Sequence, residues 1–301
     1  MSVGEEVLRD PKTSLMNVEP GMTAFVTGGG SGIGRGIALS LAGRGVRVGV
    51  CDIREADAAE TALEIQKAGG SALAIRVDVS DFQSVENGVQ IVERAFGQIA
   101  IACNNAGVAM HGVPLQEITE SDWDWVIDVN IRGVINGIKA VVPRMLASEG
   151  PAHIVNTASI GGFQVNPNFL TAAYSMSKFA VVALSEGLHN ELQGTQVGVS
   201  ILAPAAVDTG IHLSERSRPE RLGGATVRPE NHFMGDLIKG SMSPLVVGDR
   251  VVDAIESNDL YVFTHPDTRH WLDRRHAAIM AAFQKSERLD AAQKVGAVRQ
   301  I

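Results

Sequence analysis

Tyr174 and Lys178 stand four residues apart in the segment YSMSK. On a helix that spacing projects both side chains from one face, so the ammonium can stabilise a phenolate beside it. A phenol with an ordinary pKa of about 10 is a poor base at neutral pH, and proton transfer at an alcohol oxygen needs that value to fall. A second chemistry, anion binding, is offered by residues 27–34, TGGGSGIG. A glycine-rich turn opening a helix lets backbone N–H groups face a phosphate with no side chain in the way. The strict GxGxxG spacing is absent, and a purely structural turn is the competing reading. Asp52 follows Gly32 by 20 residues, where an acid at a strand's carboxyl end accepts hydrogen bonds from an adenosine ribose and repels a 2′-phosphate. The alternative for Asp52 is a helix cap.

These residues need a scaffold, and the rest of the chain supplies its pattern. MTAFVT (22–27) enters the glycine turn, and GRGIALSLAG after it has helical apolar spacing. The alternation continues with strands at 46–52, 72–79 and 99–104, and helices near 56–68 and 82–96. A long helix near 119–146, a strand at 153–159, a helix at 172–193 and strands at 197–204 and 260–265 complete it. Unbroken strand–helix alternation with apolar strands predicts one doubly wound α/β domain with a parallel sheet and helices on both faces. The expected organisation is an N-terminal extension at 1–21, the α/β domain at 22–265 and a C-terminal helical extension at 266–301. Within the domain, about 207–245 is rich in Arg, Glu, Pro and Gly and reads as a lid or a solvated loop.

The 301 residues, 45% hydrophobic and 20% charged, suffice for a sizeable core. A net charge of −8 with no basic run argues against nucleic acid. No apolar stretch reaches the ~18 residues of a membrane span, and the N-terminus lacks a secretory h-region. A cytoplasmic location is expected, with Cys51 and Cys103 as inert buried thiols. The eight histidines show no HExxH spacing and neither Ser159 nor Ser175 lies in a GxSxG elbow, so neither a metal site nor an acyl-transfer nucleophile is expected.

TGGGSGIG, NNAG (104–107), Asn130, Ser159 and YSMSK, in this order and spacing, resemble the classical short-chain dehydrogenase/reductase family across residues 22–265. The resemblance implies a sheet in the order 3-2-1-4-5-6-7 and a catalytic set of Asn130, Ser159, Tyr174 and Lys178. Ser159 would hold the substrate oxygen against Tyr174. Asn130, poorly suited to a helix interior, would reach Lys178 through water or else face solvent. Gly28, Ser31, Gly32, Ile33 and Gly34 would form the pyrophosphate turn, with Asp52 as ribose anchor and Asp78 and Val79 at the adenine edge. Asn104, Asn105 and Gly107 would frame the cofactor, joined by Pro204, Val207 and Thr209 near the nicotinamide. The family's usual Pro-Gly after the sixth strand is Pro204-Ala205 here, and the segment from Ser159 to Tyr174 carries extra residues, QVNPNFL.

NAD is the favoured cofactor, because Ile53 rather than a basic residue follows Asp52. Arg35 and Arg54 keep NADP as the alternative. The expected activity is oxidation of a hydrophobic or aromatic secondary alcohol, bounded by His111, Phe163 and Phe169 beside Ser159 and Tyr174, with Met110, Val165, Ile211 and Leu213 nearby. The helix at 129–148 and the tail from 261 resemble bacterial enzymes that oxidise bulky aryl alcohols. An NADPH-dependent carbonyl reductase and a non-catalytic NAD sensor are the other readings. Apolar residues wrapping the 177–192 helix and one side of the tail predict a homodimer or homotetramer.

Overall fold

A computed structural model describes residues 16–226 and 235–293. The first 15 residues of the expected N-terminal extension, residues 227–234 of the expected lid and residues 294–301 of the tail lie outside them. The chain divides into two compact units, 1–264 and 265–301.

In the first unit the strands are β1 (Thr23–Thr27), β2 (Arg47–Asp52), β3 (Ala72–Arg76), β4 (Ile99–Asn104), β5 (Ala152–Thr157), β6 (Val197–Ala203) and β7 (Tyr261–Phe263). They form one sheet in the order β3-β2-β1-β4-β5-β6-β7, parallel throughout. Every residue of β1, β5 and β6 is buried, as strands covered on both faces must be. The covering helices are α1 (Gly32–Gly43), α2 (Glu55–Lys67), α3 (Phe82–Phe96), α4 (Glu120–Ile127), α5 (Gly133–Leu146), α6 (Ala172–Glu191) and α7 (Pro244–Ser257). Ile37 and Leu41 of α1, Ile65 of α2 and Val251 of α7 pack into one apolar layer. Val89 of α3, Val141 of α5 and Leu188 of α6 build the other.

Two boundaries differ from the sequence pattern in ways that matter to the site. β3 stops at Arg76, because the Asp78 N–H turns to the Ser84 hydroxyl at 3.0 Å instead of continuing the ladder. Asp78 and Val79 therefore sit in a loop at the sheet's carboxyl edge. The helix expected over 119–146 is broken by a π turn at Asp128–Arg132, where the Gly133 N–H reaches back five residues to the Asp128 carbonyl. Such turns recur at functional sites, and Asn130 lies inside this one.

The second unit holds a 3-10 turn at Pro266–Thr268 and α8 (Arg269–Gln293). Ile279, Met280 and Phe283 of α8 are exposed. Among the described residues no helix is long and apolar enough to cross a membrane, and no cluster of His, Cys, Asp and Glu could hold a metal ion.

Candidate active site

The strand order reverses between β1 and β4, and a cleft of about 1100 Å³, including its open mouth, lies at the carboxyl ends there. Doubly wound sheets bind ligands at this switch point. One end of the cleft is the glycine turn. Gly28 and Gly32 have φ of +62° and +51°, a left-handed conformation that glycine adopts at no steric cost. A Cβ on Gly34 would collide with the Gly28 carbonyl oxygen, so the turn closes only with glycine there. Thr119, Asp81 and Ser243 cap α4, α3 and α7 with their side chains. Ser31, at the N-cap of α1, makes no such bond, and no acidic residue lies in that first turn. The positive end of α1 is thereby directed at the cleft, which suits an anionic group.

Asp52 lines the same cleft. Its carboxylate accepts the Gly30 N–H at 3.1 Å and the Arg54 N–H at 3.0 Å, so it also braces the turn. Burial raises its pKa, and those two hydrogen bonds oppose the rise. Arg35 is engaged with Glu64 and Arg54 with Asp57, at 2.8 Å. Asp78, Val79, Asn105 and Gly107 line the cleft, as do Ser31, Ile33, Pro204 and Thr209.

Tyr174 and Lys178 close its other end. Lys178 is 3% exposed; its ammonium lies 5.7 Å from the centre of the Tyr174 ring and donates to the Thr157 carbonyl at 2.9 Å. Ser159 is hydrogen-bonded to the Tyr174 phenol and held by the Gly161 N–H at 3.1 Å. Burial acts on the pair in opposite directions. It raises the Tyr174 phenol, against the hydrogen bond from Ser159, and lowers Lys178 to about 8. Packing alone therefore works against the low phenol pKa expected from the sequence. That fall depends on positive charge beside the ring, from Lys178 and from whatever cation shares the cleft.

Asn130 is fully buried, which corrects the solvent-facing alternative. Its amide oxygen accepts the Val108 N–H at 2.8 Å, and its amide nitrogen donates to the Val108 carbonyl and the Ser177 hydroxyl, both at 2.9 Å. A Cβ on Gly107 would lie 3.3 Å from both Asn130 Oδ1 and Lys178 Nζ, so the two groups converge on that glycine.

Other residues lie elsewhere than expected. Asn104 is absent from the cleft wall, because it turns inward to donate to Asn156 at 2.9 Å. Phe163 packs against Tyr261 and Phe263, with ring centroids 5.9 and 5.0 Å away, at the β7 edge. Aromatic packing to β7 draws it from the position expected beside Tyr174. Val207 is buried and bridges to Met242 rather than lining the cleft. His111 is 8% exposed and meets the Tyr174 ring edge-on at 5.1 Å; burial lowers its pKa to about 4. The inserted loop covers this end, with the Leu170 carbonyl accepting the Gly112 N–H at 2.9 Å. Phe169 is half-buried within that loop. Cys51 and Cys103 are buried, with both thiols pushed up by desolvation, Cys103 to about 12.

Sequence reading missed Trp125 and Arg216, both of which line the cleft. It also missed the ion pair that anchors the 211–222 stretch. Arg218, 6% exposed, pairs with Asp122 at 2.6 Å and stacks on Trp125 at 5.1 Å. Trp125 gave a signal as a large apolar residue in the 119–146 pattern, whereas Arg216, Arg218 and Arg221 look alike in a stretch without apolar periodicity.

The family model described as short chain dehydrogenase matches residues 22–220. The chain is 34% identical over 282 residues to a C alpha-dehydrogenase of Sphingobium sp. (strain NBRC 103272 / SYK-6), covering 91% of each protein. It is 33% identical to the 1-deoxy-11-beta-hydroxypentalenate dehydrogenase of Streptomyces avermitilis, covering 84% of this chain and 88% of that one. Among solved structures, a short chain dehydrogenase/reductase from Burkholderia phymatum in complex with NAD matches with a TM-score of 0.81 at 33% identity. That match covers 95% of this chain and 99% of the other. A short chain dehydrogenase from Burkholderia cenocepacia J2315 in complex with NADP matches with a TM-score of 0.68 at 29% identity, over 82% and 96% of the two chains. The cradle at the start of α1, the acid at the end of β2 and the paired Tyr174 and Lys178 thus sit in a chain that belongs to the short-chain dehydrogenase family, whose members are oxidoreductases that bind a nicotinamide cofactor.

Proposed function

We propose that the chain is an NAD-dependent dehydrogenase that oxidises a hydrophobic secondary alcohol, aryl alcohols included, to the ketone. The observation that carries the reading is the convergence of Tyr174, Ser159 and Lys178 at one end of a cleft whose other end is an anion cradle. Bound there, the nicotinamide ring supplies the hydride acceptor and a positive charge. Tyr174, as the phenolate that Lys178 stabilises by electrostatic attraction, takes the hydroxyl proton and becomes the neutral phenol. Ser159, fixed by the Gly161 N–H, orients the alcohol oxygen toward Tyr174. Asn130 holds the backbone at Val108 and keeps the Gly107 turn against Lys178. Gly28, Gly32 and Gly34 would hold the cofactor's diphosphate, Asp52 its ribose, and Thr209 its carboxamide.

NAD over NADP is supported by the Asp52 carboxylate in the cleft wall and by the ion pairs that occupy Arg35 and Arg54. A hydrophobic substrate is supported by the apolar residues of the cleft wall, among them Val108, Trp125, Val129 and Ile211. Exposed Ile135 and Leu146 on α5 and Met176 on α6 support assembly through these helices into a homodimer or homotetramer. The test is a panel of aliphatic and aryl secondary alcohols with NAD and with NADP, scored by reduced-cofactor fluorescence. Turnover of hydrophobic secondary alcohols with NAD supports the reading. Turnover of ketones with NADPH alone would replace it with a carbonyl reductase.

A further inference from the structure

The cleft's negative surroundings raise a question of charge. A dinucleotide brings a diphosphate, yet the chain carries a net charge of −8, and Asp52 and Asp57 both lie close to the glycine turn. A Cβ on Gly30 would stand 2.8 Å from Asp57, and Asp52 already bonds the Gly30 N–H. Backbone N–H groups at α1 supply only partial positive charge. Arg35, on α1 itself, is spent on Glu64.

We propose that the Arg216 guanidinium binds the diphosphate of the bound dinucleotide. This rests on the nicotinamide-dinucleotide reading of the cleft. Arg216 lies on the 3-10 segment Ile211–Ser217, directly after Thr209 and Gly210, and its side chain lines the cleft together with Ser31 and Gly32. A Cβ on Gly210 would stand 3.7 Å from Arg216 Nη2, while one on Gly32 would touch Thr209 at 3.1 Å, so guanidinium and glycine turn flank the same Thr209–Gly210 corner.

Its competition for a partner is weak. The ion pair from Arg216 to Asp57 is long, 3.9 Å, and Asp57 is already held by Arg54 at 2.8 Å. The neighbouring arginines are committed elsewhere: Arg218 to Asp122, and Arg221 to Asp78 and Ser80. A guanidinium offers five N–H donors in a planar fork suited to two phosphate oxygens. The segment that carries it is anchored by Arg218, which pairs with Asp122 at 2.6 Å, so the backbone that presents Arg216 to the cleft is held in place.

The test is calorimetric titration of wild type, Arg216→Ala and Arg216→Lys with NAD, ADP, 2′,5′-ADP, NADP and adenosine, at low and high salt. A charge-assisted contact predicts that Arg216→Ala weakens NAD and ADP about 10- to 100-fold and leaves adenosine unchanged. Arg216→Lys should recover part of the loss, and the deficit should shrink at high salt. Loss confined to NADP and 2′,5′-ADP would overturn the proposal, because Arg216 would then face the 2′ position. Equal loss for adenosine would overturn it as well, since the residue would be merely supporting the fold. A wild-type chain that binds neither NAD nor ADP refutes the cofactor reading itself, and the Arg216 proposal falls with it.

Discussion

Lys178 should make the ligand-free protein less stable at neutral pH, and replacing it with methionine should remove that handicap. The side chain is 3% exposed, and burial brings its pKa from an ordinary 10.5 to about 8. Between those two values the unfolded chain holds the proton that the folded chain has released, so stability rises with pH across that window. At about 1.36 kcal/mol per pH unit, keeping the buried ammonium costs about 3 kcal/mol below pH 8, and the cost is gone by about pH 10.5. Methionine has no proton to release. The difference in unfolding free energy, wild type minus Lys178→Met, should therefore increase by about 2 kcal/mol from pH 7 to pH 9.5. Urea denaturation at fixed ionic strength in 0.5-unit steps, about the finest the fits support, reads this directly. Groups that titrate alike in both variants cancel. A difference that is flat, or that falls toward pH 9.5, would refute the argument that the ammonium is held in a desolvating site. The orphaned Thr157 carbonyl in the variant offsets the whole curve without changing its slope.

Tyr174→Phe should lower turnover by about 10²-fold or more while NAD binding stays near wild type, because only the proton-transfer group is lost; calorimetry alongside steady-state kinetics checks both halves. Asp52→Ala should shift the NAD-to-NADP preference by about tenfold toward NADP, equivalent to about 1.4 kcal/mol, read as the ratio of kcat/KM values. Arg218→Met should cost about 3–5 kcal/mol, because Asp122 loses its guanidinium in the interior. Adding Asp122→Leu should restore much of that stability, and denaturant midpoints of the two variants would sink the claim if they agreed within error.

The fold was legible because its periodicities are strong. Seven apolar runs alternate with amphipathic stretches, and each run is short enough to be a strand. Tyr174 and Lys178 meet because four residues make one helical turn, a relation fixed by local geometry. Orientation across elements was less legible. Asn104 and Asn105 are neighbours in NNAG, yet β4 ends between them, so one turns to Asn156 and the other, in the turn that follows, to the Thr27 carbonyl. Phe163 follows a 3-10 turn, so its direction is set by the β7 aromatics about 100 residues later, which no local pattern reports. The 207–245 stretch was legible as irregular, but which of its arginines is buried depends on Asp122 and Trp125, both distant in sequence.

The π turn at Asp128–Arg132 also works as a phase shifter. One residue more than an α-helical turn rotates everything downstream by roughly 100° about the axis. Upstream of it, Asp122 and Trp125 meet Arg218; downstream, Asn136 reaches the Val79 carbonyl at 2.8 Å and Ala140 and Val141 face the sheet. A straight helix could not serve both neighbours with the same residues. Deleting a single residue from 128–132 would give a more regular helix and a worse protein: either the Trp125 face or the Asn136 face would be turned out of register, and Asn130 would leave its place beside Val108. Loop insertions elsewhere in the chain are absorbed locally, whereas length at this point is read as angle.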